Sequence, residues 1–180
     1  ESSPLDPIGT YAETKVEAEK LVLQLEEQVA VLRFGTLAGI SPRPRLDILL
    51  NQWSYEALSK GVIECYQPEA WRPFVHVADA SDAVISVLTN WQHTKHRCYN
   101  VVGFNTTKLQ LAMEVMARTG CRVTESSGTG DLRNYSVDGD LIKKDLGFNP
   151  RFNMAECVNE VCSALELGIL QPRPTHYNHN

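Results

Sequence analysis

Thr10-Tyr-Ala-Glu-Thr-Lys-Val-Glu-Ala-Glu-Lys-Leu-Val-Leu-Gln-Leu25, then Val29-Ala-Val-Leu-Arg-Phe-Gly35, decides the fold class. Tyr11, Ala18, Val22 and Leu25 recur at helical spacing between charged residues, so residues ~10–28 read as an amphipathic helix. The short apolar run that follows, closed by Gly35, suits a strand buried on both faces, as in a parallel sheet. Working outward, the alternation continues. Gly39-Ile-Ser-Pro-Arg-Pro-Arg45 is a loop, because two prolines and a glycine break both periods. Leu46 to Lys60 returns to helical period and stops at Gly61. Val62 to Tyr66, Phe74 to Val77 and Arg97 to Val102 read as strands, and Asp79 to Leu88 as a helix. Thr106 or Thr107 can cap a helix from Lys108 to Thr119 that ends at Gly120. Brief strands are expected at 121–125 and 135–137, helices at ~139–146 and ~153–168, and a frayed tail from Gln171 to Asn180. Helices alternating with strands define an α/β protein.

Composition narrows the function classes. The 180 residues are 43% apolar and 22% charged, with a net charge of −5. That is ordinary globular usage, and an acidic balance argues against a general nucleic-acid surface. No apolar run reaches the ~20 residues of a membrane helix, and no signal peptide is visible at Glu1-Ser-Ser-Pro4. The five cysteines (65, 98, 121, 157 and 162) form no C-x-x-C pair and have no histidine at metal-ligand spacing. They read as reduced thiols of a cytoplasmic protein with no metal site. Cys157 and Cys162, in one apolar helical stretch, are expected to fill a core. His176 and His179, in the tail, are expected to be solvated.

No phosphate loop accompanies the strands. Gly128-Thr-Gly130 is the single G-x-G, and Arg133 stands where the third glycine of the dinucleotide fingerprint belongs. Neither G-x-x-x-x-G-K-[ST] nor G-x-S-x-G occurs.

Chemistry shows first at Tyr11-Ala-Glu-Thr-Lys15, a phenol and an ammonium one helical turn apart. Pro4-Leu-Asp-Pro-Ile-Gly-Thr10 leads into it, and Val31-Leu-Arg-Phe-Gly-Thr-Leu-Ala-Gly39 follows. Further on come Trp71-Arg-Pro-Phe-Val-His-Val-Ala-Asp79, Tyr99-Asn-Val-Val-Gly103, Arg133-Asn-Tyr-Ser-Val-Asp138 and Leu146-Gly-Phe-Asn-Pro150. In order and spacing these segments resemble the extended short-chain dehydrogenase/reductase family, the NAD-dependent epimerase/dehydratase group. The resemblance covers nearly the whole chain but only the C-terminal half to three-fifths of a family member. The glycine-rich loop and the catalytic Ser/Thr of the family have no counterpart here, since the serines that precede Tyr11, Ser2 and Ser3, stand too near it and lack the family's following pattern. The chain reads as a fragment, expected to be inactive alone.

The resemblance implies the C-terminal part of a doubly wound, Rossmann-like parallel sheet plus a small α/β substrate-binding lobe. Residues 1–36 and 97–103 would be the remnant of the dinucleotide-binding domain, and 37–96 with 104–180 the substrate lobe. It implies NAD or NADP as cofactor and a nucleotide sugar as substrate. Tyr11 would exchange a proton with a substrate hydroxyl. A free phenol keeps its proton to about pH 10, and an ammonium ~4–5 Å away supplies roughly 3–4 kcal/mol towards ionising one. Lys15 would supply that charge and hydrogen-bond the nicotinamide ribose, with Tyr11 and Gly35 also on the cofactor side. Arg72 would grip the diphosphate with a planar fork, with Arg45 and Arg133 as further candidates. Thr36 stands where many members carry an Asn that touches the sugar. Asp79 reads as a helix cap rather than an acid, and His76 as packed rather than chemical.

The expected activity is epimerisation. A reductase or dehydratase of the same family, or a non-catalytic nucleotide-sensing or scaffolding member, remains the alternative. A homodimer of the full-length parent is expected through the Tyr11 helix: Ala18, Val22 and Leu25 follow the inward stripe, which leaves Val16, Leu21 and Leu23 on an outer face.

Overall fold

The computed structural model describes residues 1–25, 28–126 and 133–178. The Gly128-Thr129-Gly130 segment and His179 lie outside the described residues. Among the described residues, three small sheets carry the fold. β1 (Ala30–Phe34) pairs in parallel with β5 (Arg97–Val101), setting Leu32 opposite Tyr99. β4 (Trp71–His76) is flanked by β2 (Thr36–Ala38), parallel to it, and by β6 (Phe104–Thr107), antiparallel. β3 (Val62–Tyr66) pairs in parallel with β7 (Arg122–Ser126).

Helices cover these sheets in two groups. α2 (Leu49–Lys60), α5 (Lys108–Thr119) and α7 (Met154–Glu166) enclose one core around Trp53, Phe74, Leu111 and Val158. Cys157 and Cys162 belong to it, both fully buried as expected, and burial pushes the Cys157 thiol up to about 12. A second core joins Val75, Ala83, Tyr99, Val101 and Ile142. It brings α3 (Val77–Thr89) and α6 (Asp140–Leu146) onto β5. α3, grouped by sequence with the substrate lobe, therefore packs beside the strands of the other half.

Local chemistry explains most boundaries. α5 opens with a capping box: the Thr107 hydroxyl accepts from the Gln110 N–H, and the Gln110 amide accepts from the Thr107 N–H. An equivalent box, Asn153 with Glu156, opens α7. α2 begins at Leu49 rather than Leu46, because Leu46 is drawn into a third cluster with Ala164 and Leu170.

Three expectations are corrected. Residues 135–137 form no strand. The Asn105 amide takes the place of a ladder partner, accepting from the Val137 N–H at 2.9 Å and donating to its carbonyl at 2.9 Å. The tail does not fray as far as residue 178. A turn of 3-10 helix (Pro174–His176) buries His176 to 7% exposure, so that histidine is not solvated. Finally, α1 (Thr10–Leu23) holds no buried residue, and Ala18, Val22 and Leu25 are not packed into a core. What ties α1 to β1 is the Arg33 fork on Glu19, at 2.9 and 2.5 Å. That fork also holds the Glu19 carboxyl below the usual range.

Among the described residues no helix is long and apolar enough to cross a membrane.

Candidate active site

α1 starts from Gly9, and its first turn presents Tyr11 to solvent at 73% exposure. One turn later, Lys15 sets its Nζ 5.5 Å from the centre of the Tyr11 ring. The helical spacing thus delivers the phenol and the ammonium to one open face, as the sequence predicts.

Arg45 lies in the loop between β2 and α2. Its fork grips Asp47, Nε at 3.0 Å and Nη2 at 2.7 Å, with 44% of its side chain still facing solvent. The contact holds the Asp47 carboxyl below its usual range and raises the guanidinium in turn. The loop that carries this pair is fixed from within by Asn51, a 3% exposed amide of α2. Its Oδ1 accepts from the Gly39 N–H at 3.3 Å and its Nδ2 donates to the Arg45 carbonyl at 3.0 Å.

Arg72 and Arg133 meet at the start of β4. Arg72 is 5% exposed, and its Nη1 donates to the Trp71 carbonyl at 2.7 Å and to the Arg133 carbonyl. The Asn134 side-chain oxygen Oδ1 accepts from the Trp71 N–H at 2.9 Å, which holds the exposed Arg133 segment along the strand start. Thr36 faces Phe74 in the β2–β4 register, two residues along from Arg72. Gly35 donates its N–H to the Val101 carbonyl at 2.9 Å. A Cβ there would come within 3.3 Å of the Phe74 and Pro73 backbone. Tyr11 and Lys15 therefore form one group and Arg72 with Arg133 a second, while Arg45 is held by Asp47.

His76 and Asp79 are structural. His76 is 2% exposed and stacks on Phe152 at 3.7 Å. Its Nδ1 accepts from the Ala78 N–H at 3.2 Å and so caps α3, which leaves the ring proton on Nε2 to donate to Glu160 at 2.7 Å. Asp79 is packed at 1% exposure but does not cap its own helix, a role His76 has taken. Its carboxylate accepts from the Arg151 and Phe152 N–H groups, at 3.0 and 3.1 Å, and fixes the turn into α7.

Sequence reasoning missed Asn51 and Glu160. The amide pair Asn51-Gln52 between Leu50 and Trp53 was the available signal for the first; Glu160 carries none. A surface depression of about 480 Å³ bounded by Gly103, Asn105, Gly139 and Phe148 contains none of the predicted residues.

Comparison with known proteins gives the family and the fold. The NAD dependent epimerase/dehydratase family profile matches residues 1–102, more than half of the chain. The fold is similar to that of dTDP-glucose 4,6-dehydratase from Bacillus anthracis in complex with NAD, with a TM-score of 0.79 and 21% identity over 92% of this chain and 55% of that one. It is similar to RMD from Pseudomonas aeruginosa complexed with NADPH, at 0.77 and 18% over 93% and 60%. UDP-glucose 4-epimerase from Bifidobacterium longum in complex with NAD+ and UDP gives 0.78 and 15% over 94% and 58%. The chain belongs to the NAD-dependent epimerase/dehydratase family, whose cofactor is NAD or NADP. It spans little more than half the length of these solved relatives.

Proposed function

We propose that this chain supplies the proton-transfer and substrate-binding residues of an NAD(P)-dependent nucleotide-sugar epimerase. The observation that carries the reading is the Tyr11–Lys15 pair on one solvent-facing helix turn, within a chain that the family profile matches. A reductase or dehydratase would use the same pair.

Tyr11 and Lys15 fit the nicotinamide end of the cofactor, since a phenol and an ammonium on an open face offer donors to a ribose and to a reacting hydroxyl. Bound there, the cofactor would supply hydride transfer at the sugar carbon. Tyr11 takes the hydroxyl proton as that carbon is oxidised, and Lys15 lowers the cost of charge on the phenol oxygen. Residues 1–36 and 97–103 make the cofactor side, with Gly35 at the turn out of β1. Residues 37–96 and 104–180 make the substrate side, and α3 is the joint between them. Thr36 orients the sugar, and Arg72, Arg133 and Arg45 hold the diphosphate.

Arg72 tests the anion assignment. Arg72→Ala in the enzyme that carries this chain is expected to weaken UDP or dTDP binding by roughly 1.5–3 kcal/mol, the worth of a charged hydrogen bond. Cofactor affinity should stay unchanged by calorimetry. Equal losses for both ligands would make Arg72 a support of the β4 edge and nothing more.

The outer face of α1 belongs to the same reading. Leu21 and Leu23 are 59% and 42% exposed on a helix with no buried residue. A second copy of the chain is the proposed cover. Sedimentation of the enzyme that carries this chain, at micromolar concentration, should give a dimer, reduced to a monomer by Leu23→Glu. A wild-type monomer contradicts the assignment.

A further inference from the structure

We propose that residues 173–178 are a strap that positions Arg45 for the substrate, an assignment that rests on the reading of Arg45 as an anion ligand. Terminal segments fray unless something ties them down, and this one is tied at the loop that presents Arg45. The Leu46 N–H donates to the His176 carbonyl at 2.9 Å. The Arg43 Nε donates to the Thr175 carbonyl at 3.1 Å, and the Asn178 N–H to Asp47 Oδ2 at 3.2 Å.

The last link reaches the functional group itself. Asp47 Oδ2 accepts from the Asn178 N–H and, at 2.7 Å, from Nη2 of Arg45. The carboxylate that aims the guanidinium is thus aimed by the strap. From the other side, Asn51 holds both ends of the same loop, Gly39 and Arg45. Pro42 and Pro44 restrict the backbone between them. An exposed arginine carries many rotamers to a ligand and loses them on binding. One held by a carboxylate that is itself held meets the anion with fewer to lose.

The seat of the strap agrees with this role. The Pro174–His176 turn buries His176 beside Leu46, with Nδ1 lacking a hydrogen-bond partner among the described residues. Leaving a buried polar atom unpaired disfavours the docked tail. The tail docks all the same, and its contacts fall on the Arg45 loop.

Asn178→Pro tests the strap, because it deletes the N–H through which the strap reaches Asp47. Tyr177 has φ −119° and ψ 136°, the conformation that residues preceding proline adopt. Asn178 is exposed, so the fold tolerates the change. In the enzyme that carries this chain, with UDP and dTDP as calorimetric probes, Asn178→Pro should weaken diphosphate binding by about three- to ten-fold. Asn178→Ala, which keeps the N–H, should bind like wild type. Added to Arg45→Ala, Asn178→Pro should cause no further loss. Wild-type binding by Asn178→Pro, or losses that multiply in the double variant, would overturn the strap while leaving Arg45 in place. An Arg45→Ala variant with unchanged affinity overturns the reading of Arg45 itself, and the strap with it.

Discussion

Tyr11→Phe, made in the enzyme that carries this chain, is expected to lower kcat for a nucleotide sugar by roughly 10²- to 10⁴-fold, the usual worth of a positioned general acid or base. The substitution removes one oxygen and keeps the ring. Tyr11 is 73% exposed on a helix that buries no residue, so stability should move by less than about 0.5 kcal/mol. Lys15 remains to hold the cofactor, and the dissociation constant for NAD or NADP should hardly change. Loss of kcat with cofactor affinity and melting temperature intact is a pattern that a structural tyrosine would not give. Near-normal kcat in the variant would make the Tyr-x-x-x-Lys spacing a coincidence, since such spacing is cheap on any helix.

The same helix shows what sequence can and cannot say. Its existence, its register and the meeting of Tyr11 with Lys15 follow from a period of 3.6, a local property of consecutive residues. So do the boundaries of α5, written in Thr107, Gln110 and Gly120. The inward face expected for Ala18, Val22 and Leu25 does not follow, because burial depends on what stands opposite, and a periodic stripe does not name its partner. Residues 135–137 depart from expectation for a related reason. Their β-forming composition says nothing of Asn105, an amide thirty-odd positions away in sequence that takes both backbone groups of Val137. The tail has a polar, proline-rich composition that reads as coil. Its three ties, by contrast, are long-range hydrogen bonds made through the tail's own backbone groups, which no local pattern encodes. Of the site, the individual charged groups are legible, whereas Arg72 meets Arg133 through a carbonyl rather than through charge. Asn51, which holds the Arg45 loop closed, has a role created by the fold.

Gly39→Ala should be the most destabilising single methyl in the chain, at roughly 3–5 kcal/mol. Gly39 sits at φ +96°, where a side chain adds backbone strain. Its new Cβ would also lie 2.2 Å from His76 Nε2 and 2.9 Å from Glu160 Oε2, closer than any real contact. The ring cannot step aside cheaply. Phe152 stacks on it at 3.7 Å, and its Nδ1 caps α3 through the Ala78 N–H. Glu160 is committed as well, its Oε2 accepting from His76 Nε2 at 2.7 Å and from the Ile40 N–H at 3.1 Å. Relieving the clash therefore breaks a cap, a stacked pair and a shared carboxylate contact together. Gly61→Ala isolates the backbone part of the cost. Gly61 has φ +67°, and a methyl group added there would meet nothing within 4 Å, so only the strain of about 1 kcal/mol should appear. Urea unfolding of the two variants, with equal m values, reads the difference directly. Equal losses at the two positions would mean that the His76 ring yields freely. A larger loss at Gly39 locates the rigidity of the Arg45 loop in the His76–Glu160 contact at its first turn.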